Sequence, residues 1–289
     1  MSRSCLVCGE SAFIKKYNDT LLKCEKCGFV TANTEVDLSI LNSLYTENYF
    51  KGEEYVDYLR DKSILQKNFS KRLKDIHNEN NNETSSALEI GCAYGFFAEL
   101  FTLKFQNTEY IGYDIVPEAI EYGQKTLNQN IFCNDYLKIK DNRHYSHVFM
   151  WDVIEHLPNP EKFIEKISNE IKEGGKIYIT TGDIDRFIPK FQKEKWRMIH
   201  PPSHLHYFSR KTLSNLLEKY GFEITKCTYP PVHRSIRLIF YSLFMLRKNP
   251  SKFIKKLYTL IPIKTSIPIN TFDIMFMVAQ KKAKSDKIK

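Results

Sequence analysis

The chain has 289 residues, of which 42% are hydrophobic, enough for the core of one large domain or two smaller ones. Its formal charge of +9 would ordinarily point to nucleic acid or a membrane, but most of the excess sits in one segment near the C-terminal end. No apolar run reaches the ~18 residues of a membrane span, and Cys5 and Cys8 stand where a signal peptide needs its apolar stretch, so a cytoplasmic protein is expected.

Residues 1–30 form the first expected unit. "CLVCGE" and "CEKCGF" place Cys5, Cys8, Cys24 and Cys27 in a C-x2-C-x15-C-x2-C pattern. Each C-x2-C turn points two thiolates at one tetrahedral ion, so a zinc ribbon with a closed, structural Zn2+ site is expected. The alternative is four unrelated reduced thiols. Basic and acidic residues are mixed here without an arginine cluster, so no nucleic acid is expected as a partner. Residues 31–84 follow as a tyrosine-rich and helical segment: Tyr45, Tyr49, Tyr55 and Tyr58 come first, then apolar residues from Leu59 to Ile76 at helical spacing.

A polar linker, 78–86, leads into an alternation. Apolar strands are predicted at 87–90, 109–114, 130–133, 147–152 and 176–181, with helices near 96–104, 117–128 and 160–172. Alternation of this kind implies right-handed βαβ units and a parallel sheet covered on both faces. Ser209 reads as the N-cap of a further helix, which Gly221 ends. Two more strands are predicted at 222–229 and 272–280.

The stretch "LEIGCAYGFFAEL", 88–100, is a strand, a glycine turn and a helix start. Its G-x-A-x-G pattern, with Ala93 between Gly91 and Gly95, is not the G-x-G-x-x-G of a pyrophosphate site. It suits a ligand with an adenosine end and a small zwitterionic end. Glu89 stands ahead of the turn, where a carboxylate can meet an ammonium. Asp114 ends the next strand and suits ribose hydroxyls; Asp135 ends the third and suits an adenine amino group. Trp151 and Asp152, in "FMWDVIEHLPNP", close the fourth. All lie at the carboxyl ends of consecutive strands, where open α/β sheets bind ligands.

At these residues the chain resembles the class I S-adenosylmethionine-dependent methyltransferases. "LEIGCAYG" is similar to their first motif, with Ala93 in place of the usual middle glycine. "DVIEHLPNP" is similar to the loop of the ubiquinone-biosynthesis-like branch, and "FDIMFMVAQK" to the antiparallel seventh strand. The resemblance implies an α/β fold: a Rossmann-like, seven-stranded, mostly parallel sheet with an antiparallel last strand, built from 85–231 and 269–282. It implies S-adenosyl-L-methionine as cofactor, with Glu89, Gly91, Ala93 and Gly95 at the methionine end, Asp114 at the ribose, Asp135 and Tyr136 at the adenine, and Trp151 and Asp152 beside them.

The segment "WRMIHPPSHLHYFSRKTL", 196–213, carries His200, His204, His206 and Tyr207. A histidine with a near-neutral pKa can take the proton released on methylation, so His204, His206 and Tyr207 are the candidate catalytic residues; the alternative is that they shape a lid. The segment resembles that of deoxysugar C-methyltransferases, in which His204 would be the base. Pro201, Pro202 and Ser203 replace their tyrosine, histidine and glutamate, which favours O- or N-methylation. "HPPSHLHYFS" also resembles methyltransferases of cell-surface glycan assembly.

Between Arg234 and Lys264 there are eight basic residues and no acid, around two apolar stretches. This basic amphipathic insert, 232–268, suits an anionic membrane surface; the alternatives are a cap over the acceptor site or a dimer contact. The expected function is methyl transfer to a sugar or glycan acceptor, small or lipid-linked, in cell-surface polysaccharide biosynthesis. A lipid or quinone methyltransferase and a non-catalytic zinc-ribbon scaffold are the alternatives.

Overall fold

The computed structural model describes residues 3–34, 58–76, 85–140, 142–241, 244, 251–262 and 264–283. Tyr45, Tyr49, Tyr55, most of the polar linker, and Arg247 and Lys248 of the basic insert lie outside them.

The cysteine module contains β1 (Phe13–Lys16), β2 (Leu21–Cys24) and β3 (Val30–Ala32). Helix α1 (Lys62–Arg72) follows. The alternation then runs β4 (Ser85–Ile90), α2 (Phe96–Lys104), β5 (Thr108–Asp114), α3 (Pro117–Leu127), β6 (Ile131–Cys133), β7 (Tyr145–Trp151), α4 (Pro160–Glu170) and β8 (Ile171–Gly182). The boundaries follow local chemistry. Pro117 and Pro160 open α3 and α4, where a missing N–H is harmless. Asn128 closes α3 in the left-handed conformation. Strand β8 starts directly after α4, earlier than the predicted 176–181, because its polar, glycine-containing stretch 172–175 carries no apolar signal.

After β8 come α5 (Phe187–Gln192), the two-residue β9 (His206–Tyr207), α6 (Arg210–Lys219) and β10 (Phe222–Thr228). Ser209 caps α6 in a reciprocal box with Thr212. The insert contains β11 (Val232–Ser235), α7 (Ile236–Phe240), α8 (Lys252–Leu260) and β12 (Ser266–Ile269), and β13 (Ile274–Lys281) ends the fold.

The seven-stranded sheet has the order β10-β13-β8-β7-β4-β5-β6. Strand β4 is parallel to β5 and β7, whereas β13 is antiparallel to β8 and β10. This is the expected fold class. One face packs Phe97, Phe101, Phe149, Tyr178 and Phe276; the other packs Leu88, Val148, Ile177 and Met277 against Ile164 of α4 and Leu213 and Leu216 of α6. The second core also contains Cys5, Val7, Cys24 and Phe29, so the cysteine module is packed onto the sheet domain. Its own sheet, β1-β2-β3-β9, recruits β9 from the histidine segment.

Candidate functional site

Strand order reverses at β4, with β5 and β6 on one side and β7 and β8 on the other. At such a switch point the carboxyl ends diverge and leave a crevice. The turn after β4 lines it. The Gly91 N–H donates to the Tyr113 carbonyl at 2.8 Å. Gly91 has φ +75°, and a Cβ there would lie 2.4 Å from Val153 Cγ2, so both conformation and space demand glycine. Ala93 is also left-handed, at φ 45°. Gly95, at φ 74°, is the N-cap of α2.

The acids are held from below. Asp114 accepts from the Ala93 N–H at 2.8 Å and the Val116 N–H at 3.0 Å. Burial raises its pKa and these backbone donors oppose the rise. Glu89 is 2% exposed and accepts from the Tyr110 hydroxyl. Burial pushes its carboxyl up to about 8, and the Asp114 charge adds to that. Asp135 caps a single 3-10 turn by accepting from Leu137 N–H at 3.0 Å. The hydroxyl of the buried Tyr136 donates to Glu170 of α4 at 2.6 Å. Trp151 ends β7 beneath the Arg72 guanidinium, 5.0 Å from the ring centre. The Asp152 N–H donates to the Thr180 carbonyl and hydroxyl, each at 3.0 Å.

The histidine segment is tied across this edge. Leu205 and His206 N–H groups donate to the Glu155 carbonyl at 2.9 and 3.0 Å. β9 pairs with β3, Thr31 opposite His206. The Thr31 hydroxyl donates to the Leu205 carbonyl at 3.0 Å, so it receives the His206 Nδ1–H at 3.1 Å. His206 lies 5.6 Å from the Phe29 ring, and burial pulls its pKa to about 4. The Tyr207 hydroxyl donates to the His204 carbonyl at 3.0 Å. His206 and Tyr207 are thus buried in the seam with the cysteine module, while His204 packs against His156 and His200, with ring centres 4.4 and 3.9 Å away. In the module, the Cys5–Cys27 and Cys8–Cys24 sulfurs are 3.5 and 3.6 Å apart, and all four fall within 4.8 Å of one another. Tetrahedral Zn–S bonds of ~2.3 Å need sulfurs roughly 3.8 Å apart, so the cluster is compatible with zinc.

A profile of the family described as "Methyltransferase domain" matches residues 62–226, more than half of the chain. The chain belongs to the class I S-adenosylmethionine-dependent methyltransferases. An uncharacterised protein of Methanocaldococcus jannaschii is 29% identical over 177 residues, covering 61% of this methyltransferase and 80% of that protein. A ubiquinone biosynthesis O-methyltransferase of Coxiella burnetii is 28% identical over 116 residues, 38% of this chain and 49% of the relative; the match thus spans about half the length of that enzyme. In structure, the magnesium protoporphyrin IX methyltransferase of Synechocystis, solved with bound SAH, aligns with TM-score 0.53 at 13% identity, covering 85% of this chain and 100% of the other, a likeness of fold.

The crevice of the methyltransferase fits S-adenosylmethionine on its own geometry. It offers a side-chain-free turn at Gly91, a buried carboxylate for a cation, and a second carboxylate fixed by backbone N–H groups. Sequence reasoning missed Tyr110, Arg72 and Thr180, which support Glu89, Trp151 and Asp152. It also missed the buried Asp273, which accepts from Trp196 Nε1 at 2.8 Å and from Arg197 at 3.2 Å and ties the 196–197 segment to the start of β13. Only the apolar residues around these polar side chains repeat at a readable period, so no local signal marks them.

Proposed function

We propose that this methyltransferase transfers the methyl group of S-adenosylmethionine to a hydroxyl of a sugar or glycan acceptor. The observation that carries the reading is the crevice floor, where buried Glu89 and backbone-clamped Asp114 flank the Gly91–Gly95 turn. The cofactor supplies an electrophilic methyl on a sulfonium. Glu89 holds its ammonium group; Gly91, Ala93 and Gly95 give close backbone approach. Asp114 accepts from the ribose, Asp135 from the adenine, and Trp151 with Asp152 forms the wall toward the acceptor. Rate enhancement comes mainly from orientation. His204 stands on the acceptor side, while His206 and Tyr207 brace the segment. Cys5, Cys8, Cys24 and Cys27 hold a structural zinc. The likeness of "HPPSHLHYFS" to glycan methyltransferases supports the sugar acceptor.

A second reading, a quinol or lipid hydroxyl, is favoured by the ubiquinone O-methyltransferase relatives and by exposed apolar groups. Phe187 and Phe191 are 79% and 77% exposed and stack on each other. On α8, Phe253 and Leu260 are 74% and 68% exposed beside Lys252, Lys255 and Lys256. We assign α8 to peripheral contact with an anionic membrane surface. Among the described residues no helix is long and apolar enough to cross a membrane. The test is release of S-adenosylhomocysteine with two acceptor panels, nucleotide sugars and catechol-type quinols. Turnover with sugars alone supports the first reading, with quinols alone the second. No turnover with either, alongside normal cofactor binding, would favour a non-catalytic scaffold.

A further inference from the structure

Glu155, His156 and His204 bring a carboxylate oxygen and two ring nitrogens within 4.8 Å of one another. Glu155 and His204 are 2% and 3% exposed, and His156 is half-buried. None of the three belongs to the cofactor floor. We propose that they bind a divalent transition-metal ion, zinc by donor set, with one coordination position open for the acceptor hydroxyl.

Two imidazoles and one carboxylate are the ligands of an open, catalytic zinc site, in contrast to the closed four-thiolate set of the ribbon. The histidines are oriented for the task. The His156 Nδ1 faces the Ser203 carbonyl at 2.9 Å. A carbonyl only accepts, so Nδ1 carries the proton and Nε2 is the unprotonated ring nitrogen. His204 makes its own ring hydrogen bond to the Met198 backbone. Main-chain partners of this kind set the tautomer and aim of metal-binding histidines. Burial also keeps both rings neutral, His156 at about 4 and His204 lower still. A dication would meet two neutral imidazoles and the buried Glu155 carboxyl group.

The convergence is enforced by the backbone. The Glu155 carbonyl receives the Leu205 and His206 N–H groups, so the loop that supplies two ligands is bonded to the segment that supplies the third. Bonds of ~2.0–2.2 Å set donors roughly 3.3–3.6 Å apart around a tetrahedral ion, a spacing within the 4.8 Å that contains all three donor atoms. Val153, two residues before Glu155, packs on Gly91 of the cofactor turn, so the loop that carries two of the ligands lies against that turn. There it would act as a Lewis acid. The bound acceptor hydroxyl gives its proton to water. An oxygen lone pair then forms the new O–C bond while the C–S bond breaks and its electron pair stays on sulfur. This role rests on the methyl-transfer reading; the metal binding does not.

The test is metal analysis and cobalt(II) replacement on the full chain, purified without chelator, for wild type, His156→Ala and His204→Ala. Wild type should carry one zinc per chain more than either variant. Cobalt-loaded wild type should show a weak band without thiolate character, absent from both variants, beside the intense thiolate absorption of the ribbon. Persistence of the thiolate band shows that a variant is folded. If His204→Ala loses that band, the half-buried His156→Ala decides. Equal metal content and identical cobalt spectra in wild type and the folded variants would overturn the proposal. A metal difference without methyl transfer to any acceptor would instead count against the proposed function.

Discussion

Ala93 occupies a left-handed conformation, φ 45°, that costs an L-residue roughly 1–2 kcal/mol relative to glycine. Its N–H must point at Asp114, 2.8 Å away, so the turn cannot relax without releasing that carboxylate. Ala93→Gly should therefore leave stability unchanged or raise it by up to ~1 kcal/mol, although the same exchange in a helix or strand costs ~0.5–1 kcal/mol. Thermal unfolding checks this; a clear loss would mean that the packing of the Ala93 methyl outweighs the strain. Glu89 gives a pH prediction. Its carboxyl keeps its proton to about pH 8 in the free protein, and a bound ammonium would favour the ionised form. Cofactor binding should thus release a proton below that pH, and affinity should rise with pH, by up to about tenfold per unit between ~6 and 8. Calorimetry in two buffers of different ionisation heat measures the release, and Glu89→Gln should abolish it. Stability runs the other way. Burial makes the fold keep a proton that the unfolded chain releases above its ordinary carboxyl pKa, so stability is unaffected near pH 4 and falls progressively up to about pH 8. Glu89→Gln should be the more stable protein at pH 8 and equal to wild type near pH 4.

At the scale of elements, the seam between the cysteine module and the histidine segment couples stability to the acceptor side. Phe29 is 1% exposed and lies 5.3 Å from Phe208 and 5.6 Å from His206, ring centre to ring centre. Phe29→Ala should cost ~3–5 kcal/mol, as large-to-small changes in a packed core do. Denaturant unfolding reads that loss. Because β9 and the 204–206 segment are held by β3 and the Glu155 carbonyl, the same variant should lower kcat more than cofactor affinity. Equal losses in both would show that the module stabilises the sheet without positioning the acceptor side. Cys24→Ser should behave in the same direction, since Cys24 is fully buried within the shared core.

For the whole molecule, the surplus of positive charge coincides on the insert with exposed apolar side chains, Phe253, Leu257 and Leu260. Phe253, Leu257 and Leu260 share one face of α8, spaced i, i+4, i+7, with Lys252, Lys255 and Lys256 beside them. The insert is fastened to the cofactor side. Asn68 of α1 exchanges two hydrogen bonds with His233 of β11, at 2.7 and 3.1 Å, and α1 also carries Arg72, which covers Trp151. Each basic group near an anionic surface contributes about 1 kcal/mol. Co-sedimentation should therefore require anionic lipid and weaken with salt, and Phe253→Glu with Leu260→Glu should leave the protein in the supernatant. Sedimentation independent of lipid charge would reject the assignment.

The sequence by itself determined the sheet, the glycine turn and the cap of α6. These rest on short-range rules: the period of apolar residues, the φ that Gly91 must adopt, and the bond between Ser209 and Thr212 three residues on. The strands were legible wherever their apolar pattern was unbroken, and the start of β8 was not, because 172–175 are polar residues and glycines. The placement of Glu89, Asp114 and Asp135 near one edge of the sheet was legible because parallel strands bring their carboxyl ends to that edge. Only the tertiary structure decided that Tyr136 turns toward α4, that β9 completes the sheet of the cysteine module, and that Glu155 and His156 meet His204 from about fifty residues away. Such meetings depend on how buried surfaces of distant segments fit and on which backbone groups remain to be paired, and neither leaves a trace in local spacing.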